Sequence, residues 1–430
     1  MAWLRKYSSN PFVRNVAVMF SGNGLALIIP FIMAPFISRI FTPSDFGAFE
    51  LFVRIMGLIA IVGSLRFELA ILLPKDRTEV LALVKLCLRI LVIVTIVSSA
   101  LILPFRNQIG GLLNNSELPD LLWLLPIGVF SLGAFNIMNQ YLIKSQSFKE
   151  AAIEKVVSSS SNNLSKFLLG LSLPNAFSLV IGQIIGPVLS LFAVLRLKSI
   201  RAMLAEVFRL PISVKSLFKK YRDFPLINTF HAFFHEGQHT VLLFLISAYY
   251  GEYALGLFGF AFRYLRVPLT VFGTSIGQVL NEQWSRDLNE NRPIKNSLVK
   301  IVLLLGAAAL IPFTVLFFYG EPIFTFVFGA DWTEAGVYAE ILAPWLLINF
   351  MTSPISSIPI LVRRQSDFFK ISVVSGVLNL SALAVMSEYG YDFIQVLWTL
   401  TGLNVVILLF VLFWLIRVAS VGRRSRSVNL

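Results

Sequence analysis

The chain has 430 residues, of which 57% are hydrophobic and 14% charged, with a mean hydropathy of +0.78. Soluble domains carry about 25% charged residues, so this composition excludes a sizeable soluble domain and points to an integral membrane protein. The formal net charge of +13 would indicate nucleic acid in a soluble protein; here it reads as cationic loops that orient membrane helices, and no nucleic-acid partner is expected.

A crossing helix needs about 20 apolar residues. In chain order the apolar runs predict spans at 12–38, 45–66, 79–105, 118–141, 150–172 and 175–196, then at 224–249, 253–281, 297–319, 334–361, 366–387 and 391–416. The basic head before the first run precedes a stretch too long for a signal core, so no cleavable signal is expected. The fifth span contains Ser158-Ser159-Ser160-Ser161-Asn162-Asn163, which must face protein or water. Cys87 is the only cysteine, so no intramolecular disulfide is possible.

Lysine and arginine give the sidedness. One set of connections holds Arg66, Lys75 and Arg77, then Lys144, Lys149 and Lys155, then eight cations between Arg196 and Arg222. The alternate set has only Arg39 and Arg106 and carries acids such as Glu117, Asp120 and Glu252. The positive-inside rule then places both termini in the cytoplasm. The expected architecture is an all-α membrane protein of about 12 transmembrane helices, in two six-helix lobes related by a parallel pseudo-two-fold repeat. Its parts are an N-terminal lobe 1–196, a basic cytoplasmic linker 197–223, a C-terminal lobe 224–416 and a basic cytoplasmic tail 417–430. An amphipathic helix is expected along Ile200–Phe208, where it could meet anionic headgroups.

A short pattern supports the repeat. Gly47-Ala48-Phe49 precedes Arg54, and Gly256-Leu257-Phe258 precedes Arg263 at the same spacing. Arg54 lies about nine residues past Asp45, roughly 14 Å along a helix, in a hydrocarbon layer about 30 Å thick. An arginine at that depth costs at least roughly 2.5–3.5 kcal/mol, so each copy places a cation where a function would need it. Arg54, Arg263 and Arg266 are therefore candidates for an anion-binding cavity; the bland alternative is a Glu50–Arg54 ion pair with Arg266 reaching the interface. Span seven carries His231, His235 and His239 on one helical face, with Glu236 beside the middle one. His231 and His239 are two turns apart, about 12 Å, so the three cannot share one metal ion, and no metal is expected. His235 is a candidate cavity residue, or packs by hydrogen bonding against the polar fifth span. Lys166 could reach a phosphate or the interface, and Asn23 could line the cavity or bridge helices. Glu50 and Glu236 are candidates for ion coupling.

No G-x-x-x-x-G-K-[ST] loop is present, so ATP hydrolysis by that route is excluded, and no cofactor is expected. The longest outer connections, 106–117 and 320–333, are short and carry no nucleophile or paired-carboxylate constellation.

The stretch Ser38-Arg39…Pro43…Phe46-Gly47-Ala48-Phe49, with Arg66-Phe67-Glu68, Asn139-Gln140-Tyr141, Gly182-Gln183 and Tyr250-Gly251-Glu252-Tyr253, resembles the bacterial polysaccharide flippases. These are the O-antigen and capsule translocases of the multidrug/oligosaccharidyl-lipid/polysaccharide exporter superfamily. The resemblance spans nearly the whole chain. It implies a multi-pass protein of the bacterial inner membrane that moves an undecaprenyl-diphosphate-linked oligosaccharide between leaflets by alternating access. Membrane lipids and polysaccharide polymerase machinery are the implied partners. It also implies that Arg54, Arg263 and Arg266 meet the diphosphate. Two rivals stand beside this reading. A cation-coupled multidrug exporter of the same superfamily would favour cavity acids over arginines. A membrane sugar polymerase or ligase would need larger outer loops.

Overall fold

The computed structural model describes residues 11–420 apart from 212 and 291, and side chains from 22 to 419 apart from 212, 235, 274 and 291. The start of the basic head, the end of the basic tail and the side chain of His235 lie outside the described residues. Among the described residues the fold is helical throughout, with no strand.

The principal helices are α1 (Pro11–Ile37), α2 (Pro43–Val62), α3 (Arg77–Ile102), α4 (Leu125–Lys144), α5 (Phe148–Ser172) and α6 (Ala176–Leu195). They are followed by α7 (Lys198–Arg209), α8 (Val214–Lys220), α9 (Thr229–Asn289), α10 (Lys295–Phe328), α11 (Thr333–Thr352), α12 (Gln365–Glu388) and α13 (Phe393–Ser420). Eight helical segments among the described residues are long and apolar enough to cross a membrane. One of these, Phe224–Asn289, is 66 residues long, against about 20 for one crossing. It breaks at Gly251, whose φ of 80° is open to glycine at little cost. Outward faces are apolar: Leu303, Ile311, Val377 and Phe413 are all exposed, which suits hydrocarbon. The protein is thus an all-α, multi-pass membrane protein.

Packing divides the chain into two compact units, Met1–Gly256 and Leu257–Leu430. In the first, α5 packs against α1 and α6, and α3 against α4. The polar run of α5 turns inward as its composition requires. Ser159 Oγ donates to the Ala26 carbonyl at 2.6 Å, and Asn162 Nδ2 donates to Gln183 Oε1 at 2.9 Å. Cys87 is fully buried within the α3 core, beside Leu83 and Leu91.

The linker belongs to this unit's core. Ile200, Met203 and Val207 of α7 are buried among α3 side chains, so the apolar face of this amphipathic helix is spent on protein. Lys85 of α3 donates to the carbonyls of Phe208 at 2.9 Å and Leu210 at 2.6 Å. Those carbonyls terminate α7 and have no partner within the helix, so Lys85 caps a helix from a neighbouring one.

The second unit contains the rest of α9 together with α10 to α13, with α10 packed on α11 and α11 on α13. Its aromatic centre stacks Phe260 on Trp332, with centroids 3.9 Å apart, and sets Phe328 edge-on to Phe260 at 5.0 Å. A second cluster joins Trp284, Leu298, Ile355 and Leu415.

Candidate functional site

The start of α2 is fixed by its own sequence. Thr42 is the N-cap, Pro43 occupies the first turn, and Thr42 and Asp45 form a reciprocal capping box. Asp45 Oδ2 accepts from the Thr42 amide at 2.8 Å and from its hydroxyl at 2.7 Å. A proline there has no amide to leave unsatisfied, and the box satisfies two orphan donors. The register of Gly47, Glu50 and Arg54 along the helix follows.

Glu50 is 1% exposed, and Arg54 Nε lies 3.9 Å from its Oε2. That is an ion pair beyond hydrogen-bond length, and Arg54 Nε makes no hydrogen bond among the described residues. The Arg54 side chain stays 30% exposed and opens into a cavity of about 500 Å³ whose lining includes Arg66, His231, Glu236 and Thr240. Ligand cavities commonly measure about 300–1,000 Å³. Two guanidinium groups and one carboxylate line the cavity, and the carboxylates of Glu50 and Glu68 pair with the guanidinium groups from behind. Glu236 belongs to the first turns of α9, and Thr240 Oγ1 donates back to its carbonyl at 2.9 Å.

Arg66 is a site residue that the sequence alone does not single out. It sits after α2 with φ 59°, a left-handed backbone that a non-glycine residue adopts only under constraint. Its Nη1 lies 3.4 Å from Glu68 Oε1, and buried Glu68 also accepts from the Ser64 hydroxyl. A recess of about 100 Å³ bordered by Gly57, Arg66, Glu68 and Asn136 adjoins the main cavity. In sequence Arg66 reads as an orienting loop cation; the Arg66-Phe67-Glu68 run within the resemblance is the available signal that it is more.

The other candidates lie elsewhere. Lys166 is 6% exposed; its Nζ donates to Gln183 Oε1 at 2.9 Å and stands 4.4 Å over the Phe49 ring. Asn23 Oδ1 accepts from Lys155 Nζ at 2.9 Å, which joins α1 to α5. Neither is among the residues lining the Arg54 cavity. Arg263 and Arg266 belong to the second unit. Arg263 is half-buried and Arg266 exposed, with the Arg266 guanidinium 5.6 Å from the Phe262 ring.

The fold is shared with known transporters. The chain is similar to the lipid II flippase MurJ in an inward closed conformation, with TM-score 0.72 and 15% identity over 92% of this chain and 87% of that one. It is similar to an inward-facing multidrug resistance MATE family transporter of the MOP superfamily, with TM-score 0.69 and 15% identity over 93% and 99%. A MOP superfamily transporter from Pyrococcus furiosus, described as having a binding pocket of reversed polarity, matches with TM-score 0.57 and 14% identity over 95% of each chain. No curated protein matches by sequence. The family profile described as "Polysaccharide biosynthesis protein" matches residues 36–337, which takes in the capping box, both glycine repeats and the Arg54 cavity. The chain belongs to the polysaccharide biosynthesis protein family.

Proposed function

We propose that this protein is a flippase that carries an undecaprenyl-diphosphate-linked oligosaccharide, a repeat unit of O-antigen, capsule or exopolysaccharide, from the cytoplasmic to the periplasmic leaflet of the bacterial inner membrane. The observation that carries the reading is the placement of Arg54 and Arg66 on one cavity, in a chain of a polysaccharide family whose fold is that of MOP-superfamily transporters. A diphosphate cannot cross hydrocarbon bare. Fixed guanidinium groups replace its water, and arginine meets phosphate through a planar two-pronged fork. The lipid tail stays in the bilayer while the glycan and diphosphate pass through the protein. About 12 spans in two six-helix lobes would then alternate access by rocking, with both termini cytoplasmic. Arg263 and Arg266 extend the phosphate-binding role to the second repeat. Glu50, Glu236 and His235 are the groups proposed to couple an ion gradient.

The test is genetic. In a strain whose surface-polysaccharide translocase is deleted, the native chain restores surface polysaccharide, and lipid-linked oligosaccharide accumulates without it. Arg54→Ala and Arg263→Ala, singly and together, lower the surface polysaccharide at least about ten-fold, the loss expected when charge-assisted bonds of about 1.5–3 kcal/mol are removed. If the native chain restores nothing and no lipid-linked sugar accumulates without it, the flippase reading fails. Normal surface polysaccharide in the double variant would sink the arginine assignment alone.

A further inference from the structure

A second recess, of about 680 Å³, lies in the first unit at the bend of α9. It has a different chemistry from the Arg54 cavity. Its polar lining comes from Ser44, Asn107, Asn114, Asn115, Ser116 and Glu252, and its aromatic lining from Tyr250 and Tyr253. Among its lining residues there is no lysine or arginine. Amides and hydroxyls both donate and accept, and the flat apolar faces of tyrosine rings suit sugar C–H faces.

The recess is built into the fold. Ser247 Oγ donates to the buried Leu113 carbonyl at 2.5 Å, tying α9 to the 113–116 turn. Asn115 Oδ1 accepts from the Leu118 amide at 2.7 Å, which orients the side chain. Asn114 holds φ 47°, and its Nδ2 would stand 3.7 Å from a Cβ on Gly251. The positive φ of Gly251 turns the chain so that Tyr250 and Tyr253 both reach the rim.

One group in it calls for a ligand. Asn115 is 4% exposed, yet its Nδ2 has no hydrogen-bond partner. Glu252, also in the lining, has a buried Oε2 without a partner as well, while the Ser116 backbone holds its carboxylate. A buried donor left unmade costs about 1–3 kcal/mol, so natural proteins rarely carry one without use. A sugar hydroxyl has the chemistry for either atom, since it can accept from an amide nitrogen such as Asn115 Nδ2 and donate to a carboxylate oxygen such as Glu252 Oε2.

We infer that this recess is a saccharide subsite, which holds hydroxyls of the carried glycan at the end of the first unit opposite the linker. The identity of the ligand rests on the flippase reading, and on the proposed orientation this end faces the periplasm. The glycan then has its own site, without lysine or arginine in its lining, separate from the Arg54 cavity for the diphosphate.

The probe is oligosaccharide prepared by partial acid hydrolysis of the host's surface polysaccharide, free of lipid and phosphate. Its binding to the full-length protein in nanodiscs is measured by saturation-transfer NMR and calorimetry. The native chain binds it. Asn107→Ala combined with Asn114→Gly, two exposed positions where the fold tolerates change, weakens binding at least about ten-fold. Asn115→Asp keeps the oxygen that caps Leu118, replaces the unpaired donor and weakens binding likewise. The subsite is overturned if the native chain restores surface polysaccharide but binds no probe at millimolar concentration, or if all variants bind as the native chain does. If the probe binds and the variants lose it, but deleting the gene leaves surface polysaccharide unchanged, the subsite stands and the flippase reading falls.

Discussion

Gly256 packs directly on Gly47: a Cβ on Gly256 would stand 3.0 Å from the Gly47 amide nitrogen and 1.7 Å from the Pro43 carbonyl oxygen. A Cβ on Gly47 would stand 2.0 Å from the Glu252 carbonyl oxygen. The obstructing atoms are backbone, so no side chain can rotate away. The two glycines that mark the sequence repeat are therefore needed by each other, as a point where the start of α2 and the bend of α9 meet main chain to main chain. Gly47→Ala and Gly256→Ala should each destabilise the protein by about 1–3 kcal/mol, the usual range for forced overpacking. Gly402, where an added Cβ would meet nothing within 4 Å, should accept alanine without loss. Thermal unfolding in nanodiscs separates the two cases, and equal midpoints for all three variants would refute the packing argument.

Lys85 offers a second check. Lys85→Met keeps the apolar stem but removes the donor to the Phe208 and Leu210 carbonyls. Leaving those groups unpaired should cost about 1–3 kcal/mol. Limited proteolysis should then cut the linker between α7 and α8 faster than in the native chain. Replacing exposed Arg77, whose ion pair with Glu206 is 2.8 Å long, should change stability by about 1 kcal/mol or less. A linker equally resistant in Lys85→Met would show that the cap is dispensable.

The ends of α5 and α6 and the inward face of α5 are readable in the sequence because hydrophobic runs and a block of serines and asparagines obey local rules, whereas the expected spans 224–249 and 253–281 are one helical segment, Phe224–Asn289. The glycine repeat is readable as a pattern, but its reason is a contact between residues some two hundred positions apart. Arg54 can be placed by counting turns from Asp45, since the Thr42–Asp45 box fixes the start of α2. Arg66 cannot be so placed. A loop cation and a cavity cation have the same composition, and Arg66 reaches the cavity lined by Arg54 from a left-handed turn after α2. The apolar face of α7 misleads for a similar reason: a basic amphipathic helix looks the same whether its apolar side meets lipid or, as here, protein.

Acidic groups at the bend of α9 predict a pH effect. Burial pushes the Glu117 carboxyl above its ordinary range, helped by the negative charges of Asp45 and Glu252. Carboxyls with raised pKa values in the folded state favour folding when protonated. Their contribution is full below about 4.5, the ordinary glutamate value, and is lost as pH rises through the raised values. Acidification from about pH 7.5 to about pH 5 should therefore raise the unfolding midpoint through Glu117. Glu117→Gln should be more stable than the native chain at the higher pH and gain less on acidification. An unchanged pH slope in Glu117→Gln would remove the like-charge argument.

The Arg54 cavity makes a prediction about side-chain geometry. Arg54→Lys keeps the charge but loses the planar fork, so it should retain part of the transport that Arg54→Ala loses. Glu50→Gln removes the carboxylate 3.9 Å from Arg54 and, with it, a group proposed to couple the ion gradient, so it should lower transport even though the cation stays. Surface polysaccharide restored in the translocase-deleted strain measures the order of these variants. Equal activity for lysine and alanine at position 54 would show that the fork is not used.

The most direct measurement is leaflet transfer itself. Purified protein is reconstituted into proteoliposomes with a radiolabelled undecaprenyl-diphosphate oligosaccharide, and the fraction reached by a membrane-impermeant glycosidase is followed with time. The native chain should move the lipid faster than protein-free vesicles, and Arg54→Ala combined with Arg66→Ala should lower the rate at least about ten-fold, given about 1.5–3 kcal/mol for each charge-assisted bond lost. Transfer by the double variant at the native rate would contradict the Arg54 cavity as the path of the diphosphate.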